Sequence, residues 1–203
     1  MKKNKISKDW INKRRRDIYV RKSKVEGYRS RAVYKLEEIN QKFNIFYNGA
    51  SILDLGAAPG SWSQYISKNY KNIKLASIDL EKFDEIGNVF QITGDFTEDI
   101  YKEEILNFFQ DKIDIVVSDM AVNTTGNKNL DSIQTSELCL DAMRFSKDIL
   151  KKDGIFVSKI FVGSTFNEII EESKKIFKKN KVYKPKASRK ESKESFIVCS
   201  VLR

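Results

Sequence analysis

Short apolar runs alternate with longer amphipathic segments along most of the chain. The short runs are rich in Ile, Val and Phe and are typical of buried strands, whereas the longer segments repeat apolar residues at helical spacing. Val33, Leu36 and Ile39, for example, fall on one helical face. The pattern predicts strands at 51–55, 74–80, 89–96, 113–120, 155–162, 181–186 and 195–202, and helices at 31–43, 61–70, 98–110, 135–150 and 165–180.

The order of these elements predicts the fold class. Strands that alternate with helices form an open α/β sheet, mostly parallel, with helices on both faces. No helix separates the last two predicted strands, so we expect the last strand to run antiparallel. A seven-stranded sheet that ends in this way is the arrangement of Rossmann-like S-adenosylmethionine-dependent methyltransferases.

The predicted strand at 155–162 carries a lysine, Lys159, in the middle of an apolar run. Burial of an ammonium is costly unless its charge is paired or its proton is lost. One interpretation is an edge strand from which the lysine side chain reaches water. The other is a functional lysine in a buried strand, and the pattern alone leaves both interpretations open.

The chain has 203 residues and a net charge of +10, which is unevenly distributed. A chain of this length is expected to form one domain with a sizeable core. Residues 1–35 carry a net charge of +11 and residues 174–203 carry +9, whereas the segment between them carries −10. The charge therefore predicts a basic N-terminal arm over residues 1–30, and the order of the elements predicts a single methyltransferase domain over residues 31–203.

Two basic ends on an acidic body favour a polyanionic partner bound through salt-sensitive phosphate contacts. Tyr19, Tyr28 and Tyr34 lie among the N-terminal charges and could stack on bases, which favours RNA. A solvated basic tail is the alternative interpretation. No apolar run approaches the ~18 residues of a membrane helix, and the N-terminus lacks the apolar centre of a secretory signal, so we expect no membrane association.

The chain contains no histidine, which excludes histidine triads, histidine zinc ligands and a histidine general base. Acid–base chemistry must therefore use Lys, Asp, Glu, Tyr or Cys. Cys139 and Cys199 lie in apolar surroundings and are typical of core residues in a reducing compartment. The sequence predicts neither a disulfide framework nor a metal site.

A segment of small residues, DLGAAPGSW at 54–62, follows the first predicted strand and opens a helix. Small residues there let the backbone approach a ligand at the carboxyl end of the sheet. Ala58 replaces the middle glycine that a dinucleotide site needs, so the loop favours S-adenosylmethionine, which has no phosphate. Asp79 and Asp95 end the next two predicted strands and are positioned to accept the ribose hydroxyls and the adenine amino group.

Six motifs occur in order along the chain: YRSRAVYKLEEI (28–39), DLGAAPGSWSQYI (54–66), GDF (94–96), SDMAVNTTG (118–126), FVSKIFVG (156–163) and SRKESKESFIV (188–198). Together they resemble the FtsJ-type ribosomal RNA ribose 2′-O-methyltransferases, from Asp17 to about Val201. Two positions depart from the family pattern, because Val122 stands where proline is usual and Ser61 where glycine or alanine is common. Neither departure removes a catalytic group.

The resemblance implies a Lys-Asp-Lys-Glu catalytic tetrad and a set of cofactor contacts. The tetrad falls on Lys35, Asp119, Lys159 and Glu194, and the contacts with S-adenosyl-L-methionine fall on Gly56, Gly60, Trp62, Asp79, Asp95 and Asp119.

Our hypothesis for the chemistry is that Lys159 is the general base. A free lysine is protonated at neutrality and cannot accept a proton. Burial, Lys35 and the cofactor's sulfonium favour loss of that proton, whereas Asp119 and Glu194 oppose it, and the sequence leaves the balance open. A structural ion-pair network is the alternative interpretation of the four residues.

The resemblance further implies a monomeric, metal-independent enzyme that methylates a ribose 2′-hydroxyl of a uridine in large-subunit ribosomal RNA. Its partner would be free ribosomal RNA or the large ribosomal subunit. A tRNA ribose methyltransferase and an RNA-binding assembly factor with weak or no turnover stay open as alternatives. We expect a cytoplasmic protein, with a mitochondrial or other organellar location also open.

Overall fold

The computed structural model describes residues 17–122 and 128–203. Within these ranges the chain forms six helices and seven strands. The helices are α1 (Ile18–Val25), α2 (Val33–Phe43), α3 (Ser61–Asn69), α4 (Asp99–Phe109), α5 (Lys128–Ile149) and α6 (Phe166–Ile176). The strands are β1 (Ser51–Leu55), β2 (Lys74–Asp79), β3 (Phe90–Thr93), β4 (Ile113–Ser118), β5 (Leu150–Phe161), β6 (Phe177–Tyr183) and β7 (Glu194–Leu202).

The strands form one sheet in the order β3-β2-β1-β4-β5-β7-β6. Neighbours from β3 to β5 pair in parallel, whereas β7 is antiparallel to both β5 and β6. The predicted Rossmann-like sheet with an antiparallel last strand is therefore confirmed. Because β5 lies between β4 and β7, Lys159 is in a central strand and its interpretation as an edge-strand lysine is wrong.

Helices cover both faces of the sheet because successive strand side chains point to opposite sides. On one face, α4, α5 and α6 pack against Leu53, Val116 and Phe156. On the other face, α2 and α3 pack against strand residues such as Ile52 and Val117. Cys139 and Cys199 belong to the first of these cores, as the sequence predicted.

The boundary between α6 and β6 differs from the prediction. The sequence predicted a helix as far as residue 180 because Phe177 continues the apolar face, but α6 ends at Ile176 and Phe177 begins β6. Phe177 is fully buried, stacks on Phe156 with ring centroids 6.0 Å apart and pairs with Leu202. Tertiary packing therefore overrides the local helical period at this position.

Strand β5 begins at Leu150, five residues before the predicted start, and α5 fills Lys128–Ile149 instead of 135–150. Leu150 is buried and pairs with Ile113 of β4, and a shift in the β4–β5 register accommodates the residues that follow. Gly154 permits this irregularity, because a Cβ there would lie 2.9 Å from both the Leu150 side chain and the Lys151 carbonyl oxygen.

Helix α1 lies within the segment predicted as a basic arm. Asp17 caps it, because its Oδ1 accepts hydrogen bonds from the N–H groups of Tyr19 (3.1 Å) and Val20 (3.4 Å). Residues 1–16 of the arm lie outside the described residues, so the division into an arm and a domain stays a prediction. No helix in the described part of the chain is long and apolar enough to cross a membrane.

Candidate active site

The carboxyl ends of the parallel strands meet at one edge of the sheet. There β1 and β4 lie side by side, and the helices that follow them pack on opposite faces, which opens a crevice in folds of this type. A cavity of about 490 Å³ fills the crevice and has the size of a small-molecule site. Four predicted cofactor contacts, Gly56, Asp79, Asp95 and Asp119, lie in its wall.

Four charged side chains from separate parts of the chain form a row of ion pairs beside this cavity. Lys159 Nζ lies 3.1 Å from Asp119 Oδ1, and Lys35 Nζ lies 3.5 Å from Asp119 Oδ2. Lys35 Nζ also lies 2.8 Å from Glu194 Oε2. Lys159 donates a further hydrogen bond to the backbone carbonyl of Asp119. The structure thus brings together all four residues of the predicted tetrad.

The charges in this row stabilise one another. Burial raises the pKa of Asp119, but Lys159 and Lys35 outweigh it and hold that pKa below its usual value. Burial likewise lowers the pKa of Lys35, but Asp119 and Glu194 outweigh it and raise that pKa. Lys35 is therefore held as an ammonium between two carboxylates, whereas Lys159 contacts one carboxylate among the described residues.

Regular elements hold the long side chains of the row in place. Lys159 extends from central strand β5 and is only 7% exposed. Lys35 lies in the first turn of α2. Glu194 begins β7 opposite Phe161, and its Oε1 accepts a hydrogen bond of 2.7 Å from Ser188 Oγ. Because each side chain is fixed by its own element, the geometry is set before any substrate arrives.

Two glycines in the loop after β1 have positive φ angles. Gly56 has a φ of +74°, and a Cβ there would overlap the Met120 side chain. Gly60 has a φ of +93° and lies outside the cavity wall, where a Cβ would come within 2.9 Å of Arg29 Nη1. Gly60 directly precedes α3, whose first-turn N–H groups have no partners within the helix.

Three aspartates provide hydrogen-bond acceptors in the cavity wall. Asp79 Oδ2 accepts from the Ala58 N–H (2.8 Å), which ties the end of β2 to the loop after β1. Asp95 Oδ1 accepts from both the N–H and the hydroxyl of Thr97, whereas its Oδ2 accepts from none of the described residues. Oδ1 of Asp119 is buried and faces Lys159 Nζ at 3.1 Å, in an ion pair without good hydrogen-bond geometry. The carboxylates of Asp79 and Asp95 fit the hydroxyl and amino groups of S-adenosylmethionine.

Trp62, like Gly60, is a predicted contact that lies outside the cavity wall. The indole is 2% exposed, packs on Phe196 with centroids 5.8 Å apart, and donates its N–H to the Ala32 carbonyl at 2.9 Å. A cofactor contact from Trp62 would therefore use its backbone N–H at the start of α3.

Sequence reasoning missed Arg29, which holds the loop beside the cavity. Its Nη1 donates to the carbonyls of Pro59 (3.0 Å) and Asp84 (2.6 Å), and its Nη2 donates to that of Glu85 (2.8 Å). Arg29 thereby joins the loop after β1 to the loop after β2. Its partners are backbone carbonyls that any residue type could supply, so the sequence contained no signal for this role.

The two positions that depart from the family pattern both fit the site. Val122 lies in the cavity wall. Ser61 is buried, and its Oγ lies 2.8 Å from Ser30 Oγ, which links the start of α3 to the segment before α2.

Known proteins share this architecture and much of this sequence. The chain matches the FtsJ-like methyltransferase family over residues 28–202. It is 63% identical over 203 residues to ribosomal RNA large subunit methyltransferase E of Pelagibacter ubique, covering 100% of both chains.

Solved structures agree with this relationship. A Plasmodium falciparum protein described as a ribosomal RNA methyltransferase is 35% identical, with a TM-score of 0.76, and the match covers 86% of this chain and 98% of that one. Human methyltransferase-like protein 13 in complex with SAH shares the fold alone, at 12% identity and a TM-score of 0.59, over 83% of this chain and 81% of that one. The chain therefore belongs to the FtsJ-like methyltransferase family, and its methyl donor is S-adenosyl-L-methionine.

Proposed function

We propose that the chain methylates a ribose 2′-hydroxyl, of a uridine, in large-subunit ribosomal RNA. The row Lys159–Asp119–Lys35–Glu194 carries the proposal, because Asp119 lies both in the wall of the cofactor cavity and in contact with the two lysines. A nucleophile beside Lys159 would therefore stand next to the transferable methyl group.

Lys159 is the proposed general base. Bound S-adenosylmethionine would supply a methyl group attached to a sulfonium sulfur. The leaving group would be the neutral thioether. The ribose oxygen forms the new bond to the methyl carbon, and its proton passes to the neutral amine of Lys159. Proton removal by a positioned base contributes a typical ~10²–10⁴-fold to the rate.

The other three residues position the reactants. Asp119, which lines the cavity, holds Lys159 through its carboxylate and its carbonyl. Lys35 stays protonated between Asp119 and Glu194 and can donate a hydrogen bond to a ribose oxygen. Glu194 anchors Lys35 and is itself held by Ser188.

The RNA substrate is supported by charge and by relationship. The Pelagibacter relative is named for ribosomal RNA of the large subunit and matches the chain end to end. The net charge of +10 arises from the two basic ends, which suits a polyanion. The ribose position and the uridine rest on the family resemblance, and the monomeric state and the cytoplasmic location stay predictions.

Mapping of 2′-O-methyl sites in ribosomal RNA tests the proposed reaction. RNA from cells with and without this protein should differ at one uridine of the large subunit, and identical maps would contradict the proposal. Single-turnover methylation by Lys159→Arg tests the base, because guanidinium keeps the charge but does not lose its proton. Lys74→Arg, at a part-buried lysine of β2, is the matched control and should keep its activity. Substantial methylation by Lys159→Arg would remove Lys159 from the role of base.

A further inference from the structure

A basic groove of about 860 Å³ lies beside the tetrad, apart from the cofactor cavity. Its walls are the start of α1 with Asp17, Arg31, and the loop 184–191 between β6 and β7. Ser188 lies in the wall of the groove and donates its hydroxyl hydrogen to Glu194, the last member of the tetrad row. The tetrad therefore connects the cofactor cavity to the basic groove.

Hydrogen bonds fix the groove loop relative to the catalytic residues. Glu38 of α2 accepts from the N–H groups of Lys186 (2.6 Å) and Ala187 (2.8 Å). Arg31 donates to the Ala187 carbonyl and pairs with Asp17, which joins the loop to α1. Because Glu38 and Lys35 lie on the same helix, the groove and the tetrad keep a constant spacing.

Among the described residues, the groove presents more positive than negative charge, since five of its lining residues are cations and two are carboxylates. Arg31 is neutralised by Asp17, and Lys184 donates to the Ser192 carbonyl. The three remaining cations, Lys186, Arg189 and Lys190, are exposed to solvent. They are available to phosphates.

Apolar side chains lie among these charges. Ile18 is 63% exposed and lines the groove beside Tyr19, which is part-exposed and packs on Tyr34, and Pro185, which is buried. Cations beside an exposed apolar side chain and a part-exposed aromatic ring can bind unpaired nucleotides, whose phosphates and base faces are both accessible. A duplex hides its base faces and would leave Ile18 uncovered.

We infer that the basic groove holds single-stranded RNA next to the target ribose, with Lys186, Arg189 and Lys190 at its phosphates and Ile18 and Tyr19 against its bases. The inference rests on the proposed function, because it takes RNA as the substrate. Beyond the proposed function, it specifies that the RNA lies in the basic groove and that the RNA is unpaired there.

The test compares two triple variants of the full chain. Lys186→Ala/Arg189→Ala/Lys190→Ala removes the groove cations. The control, Lys71→Ala/Lys147→Ala/Lys152→Ala, removes three exposed lysines at the opposite, amino-terminal edge of the sheet. Fluorescence anisotropy without cofactor measures binding to a short single-stranded oligouridylate and to its duplex with oligoadenylate, over a salt series.

The wild-type protein should bind the single strand more tightly than the duplex. For the groove variant, the slope of log affinity against log salt concentration should be less steep than for the wild type by about 2. The ratio of wild-type to groove-variant affinity should then fall roughly 15- to 20-fold between about 50 and 200 mM salt, whereas the control variant keeps most of the wild-type slope. Unchanged calorimetric affinity for S-adenosylmethionine shows that each variant is folded.

A wild-type preference for the duplex, or equal losses in the two variants, would overturn the groove assignment. Either result would leave the methylation maps unaffected, because binding is measured without methyl transfer. Conversely, missing ribose methylation would overturn the proposed function while the groove could still bind a single strand.

Discussion

Asp54 makes the stability of this protein depend on pH in a direction that can be predicted. It lies in β1, is 1% exposed, and its Oδ2 accepts a hydrogen bond of 2.7 Å from Ser63 Oγ. Its Oδ1 has no hydrogen-bond partner in the described part of the chain. Burial raises the pKa of Asp54 from its usual 3.8 to about 7, and the nearby Asp119 carboxylate adds to the effect.

The sign follows from where the proton is bound. Between about pH 4 and pH 7 the native state keeps the proton of Asp54, whereas the unfolded chain has released it. Stability therefore falls as the pH rises through this window and stays reduced above it. A difference of about 3 pH units corresponds to roughly 4 kcal/mol, because each unit is worth about 1.36 kcal/mol.

The perturbation is Asp54→Asn, which keeps the shape and an acceptor for Ser63 but cannot ionise. Urea unfolding at about pH 5 and pH 8 should show that the variant gains stability relative to wild type as the pH rises, by roughly 3 kcal/mol, because about 2 of the 3 pH units lie above pH 5. Asp153→Asn, at an exposed carboxylate, is the matched control and should show almost no such change. If the stability difference between Asp54→Asn and wild type were the same at both pH values, a neutral buried Asp54 would be refuted.

Three further outcomes follow from the site. Asp79→Ala and Asp95→Ala should each weaken S-adenosylmethionine binding by about 0.5–1.5 kcal/mol per lost hydrogen bond, and unchanged calorimetric affinity in both would place the cofactor elsewhere. Lys35→Met should destabilise the protein more than Lys159→Met, by up to about 3–5 kcal/mol in urea unfolding, because it leaves Glu194 without a cation in the row, whereas Lys159→Met leaves Lys35 in contact with both carboxylates; the reverse order would contradict the ion-pair row. Deletion of residues 1–16 should lower RNA affinity most at low salt without changing cofactor affinity, and salt-independent binding by both proteins would contradict the charge argument.

The sheet could be predicted from the sequence because each strand is a short apolar run that recurs with an intervening amphipathic segment. The antiparallel direction of the last strand could also be predicted, because no helix separates β6 from β7. The end of α6 could not be predicted, because Phe177 satisfies the helical period and the strand equally. Only its stacking on Phe156, distant in sequence, decides between them.

The site residues could be predicted where chemistry and strand ends coincide. Asp79 and Asp95 follow apolar runs, and the structure places both in one cavity wall. Contacts to backbone atoms are a different matter, as for Arg29 and Glu38, whose partners are carbonyls and N–H groups in distant loops. Every residue type has these backbone groups, so the sequence cannot indicate which of them Arg29 and Glu38 contact.

The double position of Asp119 determines which substitution can test the chemistry. Asp119 lines the cofactor cavity and also pairs with Lys159 and Lys35, so its replacement would change cofactor binding, base position and stability together. Lys159 contacts Asp119 alone among these groups, and Asp119 keeps Lys35 as a partner when Lys159 changes. A loss of methyl transfer in Lys159→Arg, with cofactor affinity and stability retained, therefore isolates proton removal from the other roles of the row.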